Sequence, residues 1–138
     1  MHRIMVVDDE VIITAQLERR LSYMGYEVVG RANSGEKSVA MARSLKPDLV
    51  LMDIVMPGEF DGIEAARVIR EDMDIPVIFM TAYSDDECIS RAKKVRPSGY
   101  ILKPFHEGEV HAAIEVALHN RKEERSFKSE IEGFRLTV

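Results

Sequence analysis

This chain has one cysteine, no tryptophan and no long apolar run. With Cys88 alone, an intrachain disulfide and a multi-cysteine zinc site are both excluded. Without an uninterrupted apolar stretch of membrane-spanning length, no transmembrane helix is expected. The start, "MHRIMVVDDE", is too short in apolar residues and too soon acidic for a signal peptide. Positive charge is in deficit: the formal net charge is -5, which argues against nucleic-acid binding through a broad basic face. No glycine-rich loop matches a P-loop or a dinucleotide fingerprint, so direct use of ATP is not expected. The four histidines, His2, His106, His111 and His119, have no paired-ligand spacing and read as surface residues. These absences point to a cytoplasmic protein with neither membrane nor nucleic-acid contact of its own.

The chain does contain a regular alternation. At 138 residues, 46% hydrophobic and 31% charged, it has the size and composition of one ordinary domain. Short aliphatic runs recur: "IMVV" (4–7), "YEVVG" (26–30), "DLVLMD" (48–53), "PVIFMT" (76–81) and "GYILK" (99–103). Continuous apolar runs of this length fit parallel strands covered on both faces. Helical stripes lie between them: Ile13, Leu17, Leu21 and Met24 before Gly25; Val39, Ala42 and Leu45 before Pro47; Ile63, Ala66 and Ile69; Ile89, Ala92 and Val95; and Val110, Ile114, Ala117 and Leu118. Asp61 with Glu64, and Ser84 with Glu87, have the spacing of N-terminal capping boxes. The expectation is an α/β fold: a single (βα)5 domain, with a five-stranded parallel sheet sandwiched between helices in three layers.

The pattern changes near the C-terminus. The unit fills 1–120, and 121–138 reads as a charged helical extension or a linker to a further domain. In "HNRKEERSFKSEIEGFRLTV", Phe127, Ile131 and Phe134 recur at spacings of four and three.

In an open parallel sheet, ligands gather outside the carboxyl ends of the strands. Strand 1 ends in Asp8 and Asp9, strand 3 in Asp53, strand 4 in Thr81 and Ala82, and strand 5 in Lys103 and Pro104. Taken singly, Asp8 and Asp9 read as helix caps, Thr81 and Pro104 as turn residues, and Lys103 as a solvated charge. Their joint placement on one edge is harder to assign to chance. Three close carboxylates repel one another, and a hard cation relieves them; an all-oxygen set suits Mg²⁺ with retained waters and phosphate oxygens. A lysine and a hydroxyl beside it suit an arriving phosphoryl group, with Asp53 as the nucleophile.

The motifs "VVDDE", "PDLVLMDIVMPG", "DGIEAARVIR", "PVIFMTAYSD" and "GYILKPF", in this order, resemble a response-regulator receiver domain of two-component signalling, the CheY-like family. The resemblance implies a flavodoxin-like fold with strand order 2-1-3-4-5. It implies a phosphorylation-activated switch: Asp53 as phosphoacceptor; Asp8, Asp9, Asp53 and the Val55 main-chain carbonyl as Mg²⁺ ligands; Lys103 and the Ala82 main-chain N–H as phosphoryl contacts; and Thr81 and Tyr100 as the switch pair. It implies a histidine kinase or phosphotransfer protein as donor, an output partner or domain, and a phosphorylation-dependent homodimer among the partners. It implies that partner preference changes at the surface of helix 4, strand 5 and helix 5.

Two departures stand out. The step from Asp53 to Asp61 is one residue longer than in many members, because "PGEF" holds an extra residue, and a local bulge is expected. Val55 and Tyr83, two residues past Asp53 and Thr81, offer no carboxylate or amide to orient water, so slow autodephosphorylation is expected and no further enzyme activity. Two alternatives remain at this point: a Mg²⁺-dependent phosphohydrolase working through an aspartyl phosphate, and a receiver fragment of a multidomain sensor kinase or other output protein.

Overall fold

The computed structural model describes residues 1–82 and 86–137, with side-chain surroundings as far as Phe127. Ten elements alternate: β1 (Arg3–Val7), α1 (Val11–Tyr23), β2 (Glu27–Ala32), α2 (Gly35–Leu45), β3 (Leu49–Asp53), α3 (Gly62–Met73), β4 (Val77–Thr81), α4 (Asp86–Lys94), β5 (Gly99–Leu102) and α5 (Glu107–Thr137). The five strands form one sheet in the order β2-β1-β3-β4-β5, and every pairing is parallel. This is the expected fold class and strand order.

Strand alternation divides the apolar runs between two cores. Met5, Val7, Val50, Met52, Val77 and Phe79 face α2, α3 and α4, which contribute Ala42, Ile63, Ala66, Ile69 and Ala92. Ile4, Val6, Leu49, Leu51, Ile78 and Met80 face α1 and α5, which contribute Leu17, Leu21, Val110, Ile114 and Ala117. A strand buried on both faces has no polar side, which is why these runs are continuous in the sequence.

The helix ends follow local chemistry. The Ser34 hydroxyl accepts the Lys37 N–H at 3.2 Å and opens α2, while Lys46 closes it in the left-handed conformation just before Pro47. Asp61 opens α3 by accepting the Ile63 and Glu64 N–H groups at 3.0 and 3.1 Å. The return half of that capping box is not made, because the Glu64 carboxylate is held by Arg67 at 3.0 Å. Ser84, the other capping candidate, and Tyr83 lie outside the described residues. α5 runs unbroken past residue 120, and Arg121, 8% exposed, is its last buried side chain among the described residues.

Candidate functional site

The carboxyl edge is assembled by strand register. Asp53 ends β3 opposite Met80, so Thr81 lies one step further along the neighbouring strand. The Lys103 N–H donates to the Thr81 carbonyl at 2.9 Å, which fixes the start of the β5–α5 loop against β4. β1 lies on the other side of β3, with Val7 opposite Met52, and delivers Asp8 to the same edge. The Lys103–Pro104 peptide is cis.

The carboxylates of Asp8, Asp9 and Asp53 converge, with one oxygen from each lying within 4.8 Å of the others. Asp8 is fully buried, Asp53 is buried and Asp9 is exposed. Asp8 is not a helix cap. One of its oxygens accepts the Glu10 N–H at 2.9 Å and the other accepts the Lys103 ammonium at 2.7 Å. Lys103 also lies 3.7 Å from Asp53, so a single cation bridges the two buried acids. Burial lowers the basicity of Lys103, but the bond to Asp8 and the charges of Asp53, Asp8 and Glu10 outweigh it and raise the pKa.

Asp53 titrates far from an ordinary carboxylate. Burial first, then the Asp8 charge, push its pKa from 3.8 up to about 7, against the opposing pull of Lys103 and the Val55 backbone hydrogen bond. Three acids and one lysine leave the cluster about two charges negative when fully ionised. An all-oxygen donor set with that deficit fits a hard divalent cation. Asp8, Asp9 and Asp53 are the side chains that would hold it.

The remaining expected residues take these places. Val55 is exposed in the loop beyond β3, and its backbone hydrogen bond reaches Asp53. Ala82 is exposed immediately after β4. Thr81 is fully buried and, by alternation, lies on the face of Phe79. Tyr100 pairs with Phe79 in register and packs, half-buried, against the same core cluster. Thr81 and Tyr100 therefore share a face of the sheet.

The lengthened loop is shaped by three glycines. Gly58 turns at φ +98, where it relieves the backbone at the extra residue. A Cβ on Gly62 would collide with the Asp53 carbonyl oxygen, so only glycine lets α3 start against the end of β3. A Cβ on Gly35 would meet the Phe60 carbonyl oxygen at 2.4 Å, so the end of the loop lies tight on the start of α2.

Sequence reasoning missed a contact at the edge of this site. The second oxygen of Asp61 accepts Arg91 of α4 at 3.0 Å, tying α4 to the N-terminus of α3. The two residues are 30 positions apart, and nothing local in the sequence marks the pair.

A five-stranded parallel sheet of this order, with clustered acids and one lysine at its carboxyl edge, is the architecture of a two-component receiver module. The chain belongs to the response regulator receiver domain family, whose model matches residues 4–115. It is 36% identical over 129 residues to the transcriptional regulatory protein PdtaR of Mycobacterium tuberculosis, covering 94% of this chain and 62% of that protein. It is 38% identical over 124 residues to the response regulator GacA of Pseudomonas viridiflava, covering 88% of this chain and 58% of that protein. The chain thus spans about three fifths of the length of these curated relatives. Among solved structures, the signal receiver domain of a modulated diguanylate cyclase from Desulfovibrio desulfuricans G20 superposes with a TM-score of 0.86 at 37% identity, covering 90% of this chain and 98% of that one. No helix among the described residues is long and apolar enough to cross a membrane.

Proposed function

We propose that Asp53 of this receiver domain accepts a phosphoryl group from the phosphohistidine of a histidine kinase or phosphotransfer protein. The observation that carries this reading is the Asp8–Asp9–Asp53 cluster, with Lys103 bridging the two buried acids. An Asp53 carboxylate oxygen attacks phosphorus, the P–N bond breaks, and the imidazole, already protonated at its other ring nitrogen, leaves neutral with the bond's electrons. Lys103 balances charge on the phosphoryl oxygens, with the Ala82 N–H beside it. Asp8, Asp9, Asp53 and the Val55 carbonyl would hold Mg²⁺, which would supply the remaining positive charge when bound.

The added charge and acceptor oxygens then bias the domain between two states. Thr81 moves toward the phosphoryl group, Tyr100 fills the space it leaves, and the α4–β5–α5 surface changes its partner preference. The partners are an output protein or domain and a second receiver, in the cytoplasm. The longer relatives support a reading in which residues 121–138 lead into such a domain. Water returns the domain to rest slowly, since exposed Val55 carries no group to orient it. The phosphohydrolase alternative is disfavoured at the same position, where such enzymes place a second aspartate.

Incubation with acetyl phosphate and Mg²⁺, followed by intact and peptide mass spectrometry, tests the reading. One phosphoryl group should appear on the peptide holding Asp53, persist for minutes or longer, and be lost with Asp53→Asn or with chelator. A label on another residue, or turnover of small phosphate esters without a trapped intermediate, would overturn it.

A further inference from the structure

The amino edge of the sheet, opposite the acid cluster, carries a second concave surface. It is a cleft of about 1410 Å³ between α5 and the loops that follow α2 and α3. Its floor is apolar: Pro47, Ile75 and Pro76 are buried, and Met73 and Leu118 are half-buried. Small-molecule sites combine an apolar lining of this kind with a few polar groups that fix orientation, and about 300–1,000 Å³ suffices for them.

The wall supplied by α5 changes character along its length. Val110, Ile114 and Ala117 pack into the core. Arg121, Lys122 and Arg125 then follow at helical spacing and line the cleft where the helix passes the end of the sheet. Charge in the cleft runs against the chain as a whole. The whole chain has 24 acids against 19 bases, with the histidines taken as neutral. The cleft has four acids, Asp48, Asp72, Asp74 and Glu115, against five bases, the α5 three with Arg43 and Lys46.

The acids are all engaged. Asp48 accepts the Arg3 N–H at 2.7 Å, and Asp72 lies 3.4 Å from Arg43. Asp74 accepts both terminal nitrogens of Arg121, and Glu115 accepts the Tyr26 hydroxyl. Even the Lys46 carbonyl, at the end of α2, accepts the Arg3 guanidinium at 2.9 Å. The bases are not. Lys46, Lys122 and Arg125 make no ion pair among the described residues, and the buried Arg121 Nε has no hydrogen-bond partner there. An incoming anion is the group that this arrangement lacks.

Three unpaired cations suit an anion of more than one charge, and a phosphate ester brings two charges with several acceptor oxygens. The apolar floor beside them suits a flat ring. We propose that this cleft binds a nucleotide-class organic phosphate, with the phosphate on Lys46, Lys122 and Arg125 and the base over Pro47, Ile75 and Pro76. The ligand binds without reacting, since the acid cluster lies at the other edge of the sheet. The site is independent of phosphoryl chemistry at Asp53.

NMR titration of the nitrogen-15-labelled whole chain, in EDTA, with each of the four ribonucleoside monophosphates tests it. At least one should bind saturably, moving the amides of Asp48, Asp74, Lys122 and Arg125 and leaving Asp9 and Ile54 in place. Its nucleoside alone and inorganic phosphate alone should each bind at least about tenfold more weakly, because each fills only half of the site. Lys122→Glu with Arg125→Glu should weaken binding about tenfold or more. Lys93→Glu with Lys94→Glu, the same charge change on exposed residues of α4, should alter it by less than about twofold. Asp53→Asn should bind as wild type does, and circular dichroism checks that each variant stays folded. No saturable binding below about 10 mM, shifts centred on the carboxyl edge, inorganic phosphate binding as tightly as the nucleotide, or equal losses in the two charge-reversed pairs would each overturn it.

Discussion

At Asp53 two demands oppose each other: the end of a buried strand favours a neutral side chain, and the proposed phosphoryl acceptance needs a carboxylate. The fold answers with a raised pKa, about 7, and with Lys103 close by. The consequence for stability has a definite sign. An unfolded aspartate ionises near 4, whereas the folded one does so near 7, so ionisation works against the native state. The penalty is absent below about pH 4, grows between about 4 and 7, and is complete above that window. Asp53→Asn should therefore match wild type near pH 4 in urea denaturation and exceed it at pH 8 by on the order of 2 kcal/mol, a figure discounted from the full shift for solvent screening. A constant difference across the range would contradict the assignment. Gly62 makes a second residue-scale prediction. Gly62→Ala forces a Cβ onto the Asp53 carbonyl, and backbone there cannot yield as a flexible side chain would. Overpacking at such a contact costs about 1–3 kcal/mol or more, and the Asp53 region should show it first, as faster amide exchange at Ile54 and Gly62.

At the scale of elements, the helices are held to the sheet by contacts that no local pattern announces. Arg121 reaches from α5 to Asp74 at the C-terminus of α3 in a two-bonded fork of 2.9 and 2.6 Å. The guanidinium is almost wholly buried, while the carboxylate is half exposed. Removing the charge of Asp74 leaves a buried cation opposed, among the described residues, only by Glu124, at 4.0 Å, whereas removing Arg121 leaves an acid that water can reach. Asp74→Asn keeps a side chain that tolerates the left-handed backbone there (φ 56) and should cost about 2 kcal/mol in urea. Arg121→Met should cost less; the reverse order would show that the fork's packing matters more than its charge. Tyr26, at the entry to β2, holds α5 in a related way, donating its hydroxyl to Glu115 at 2.5 Å with His111 at 3.3 Å. Burial and the Glu115 carboxylate raise the pKa of its phenol. The sequence showed Tyr26 only as the start of an apolar run, because its partner lies 89 residues away.

For the whole molecule, the carboxyl edge matters as a unit. Three converging acids against one lysine give a local charge deficit that a divalent cation would relieve, so Mg²⁺ should raise the melting temperature at pH 8. The rise should shrink strongly in Asp53→Asn and at pH 5, where protons already relieve the repulsion. An equal shift in all three conditions, read by thermal denaturation, would place the ion elsewhere. The fold itself was legible in the sequence, because a strand buried on both faces must be apolar throughout and the helices between must each carry one stripe. The placement of Asp8, Asp53, Thr81 and Lys103 at the strand ends was legible for the same reason, since strand order and polarity put all those ends on one edge. The sequence thus determined the alternation of elements, the edge and the residue types on it. Only the tertiary structure decided which acid is fully buried, that Lys103 bridges Asp8 and Asp53, that Arg91 shares Asp61 with the α3 cap, and that Arg121 locks α5 onto α3. Those outcomes depend on distances between residues 30 to 95 positions apart, which periodicity does not encode and which only packing of the finished layers sets.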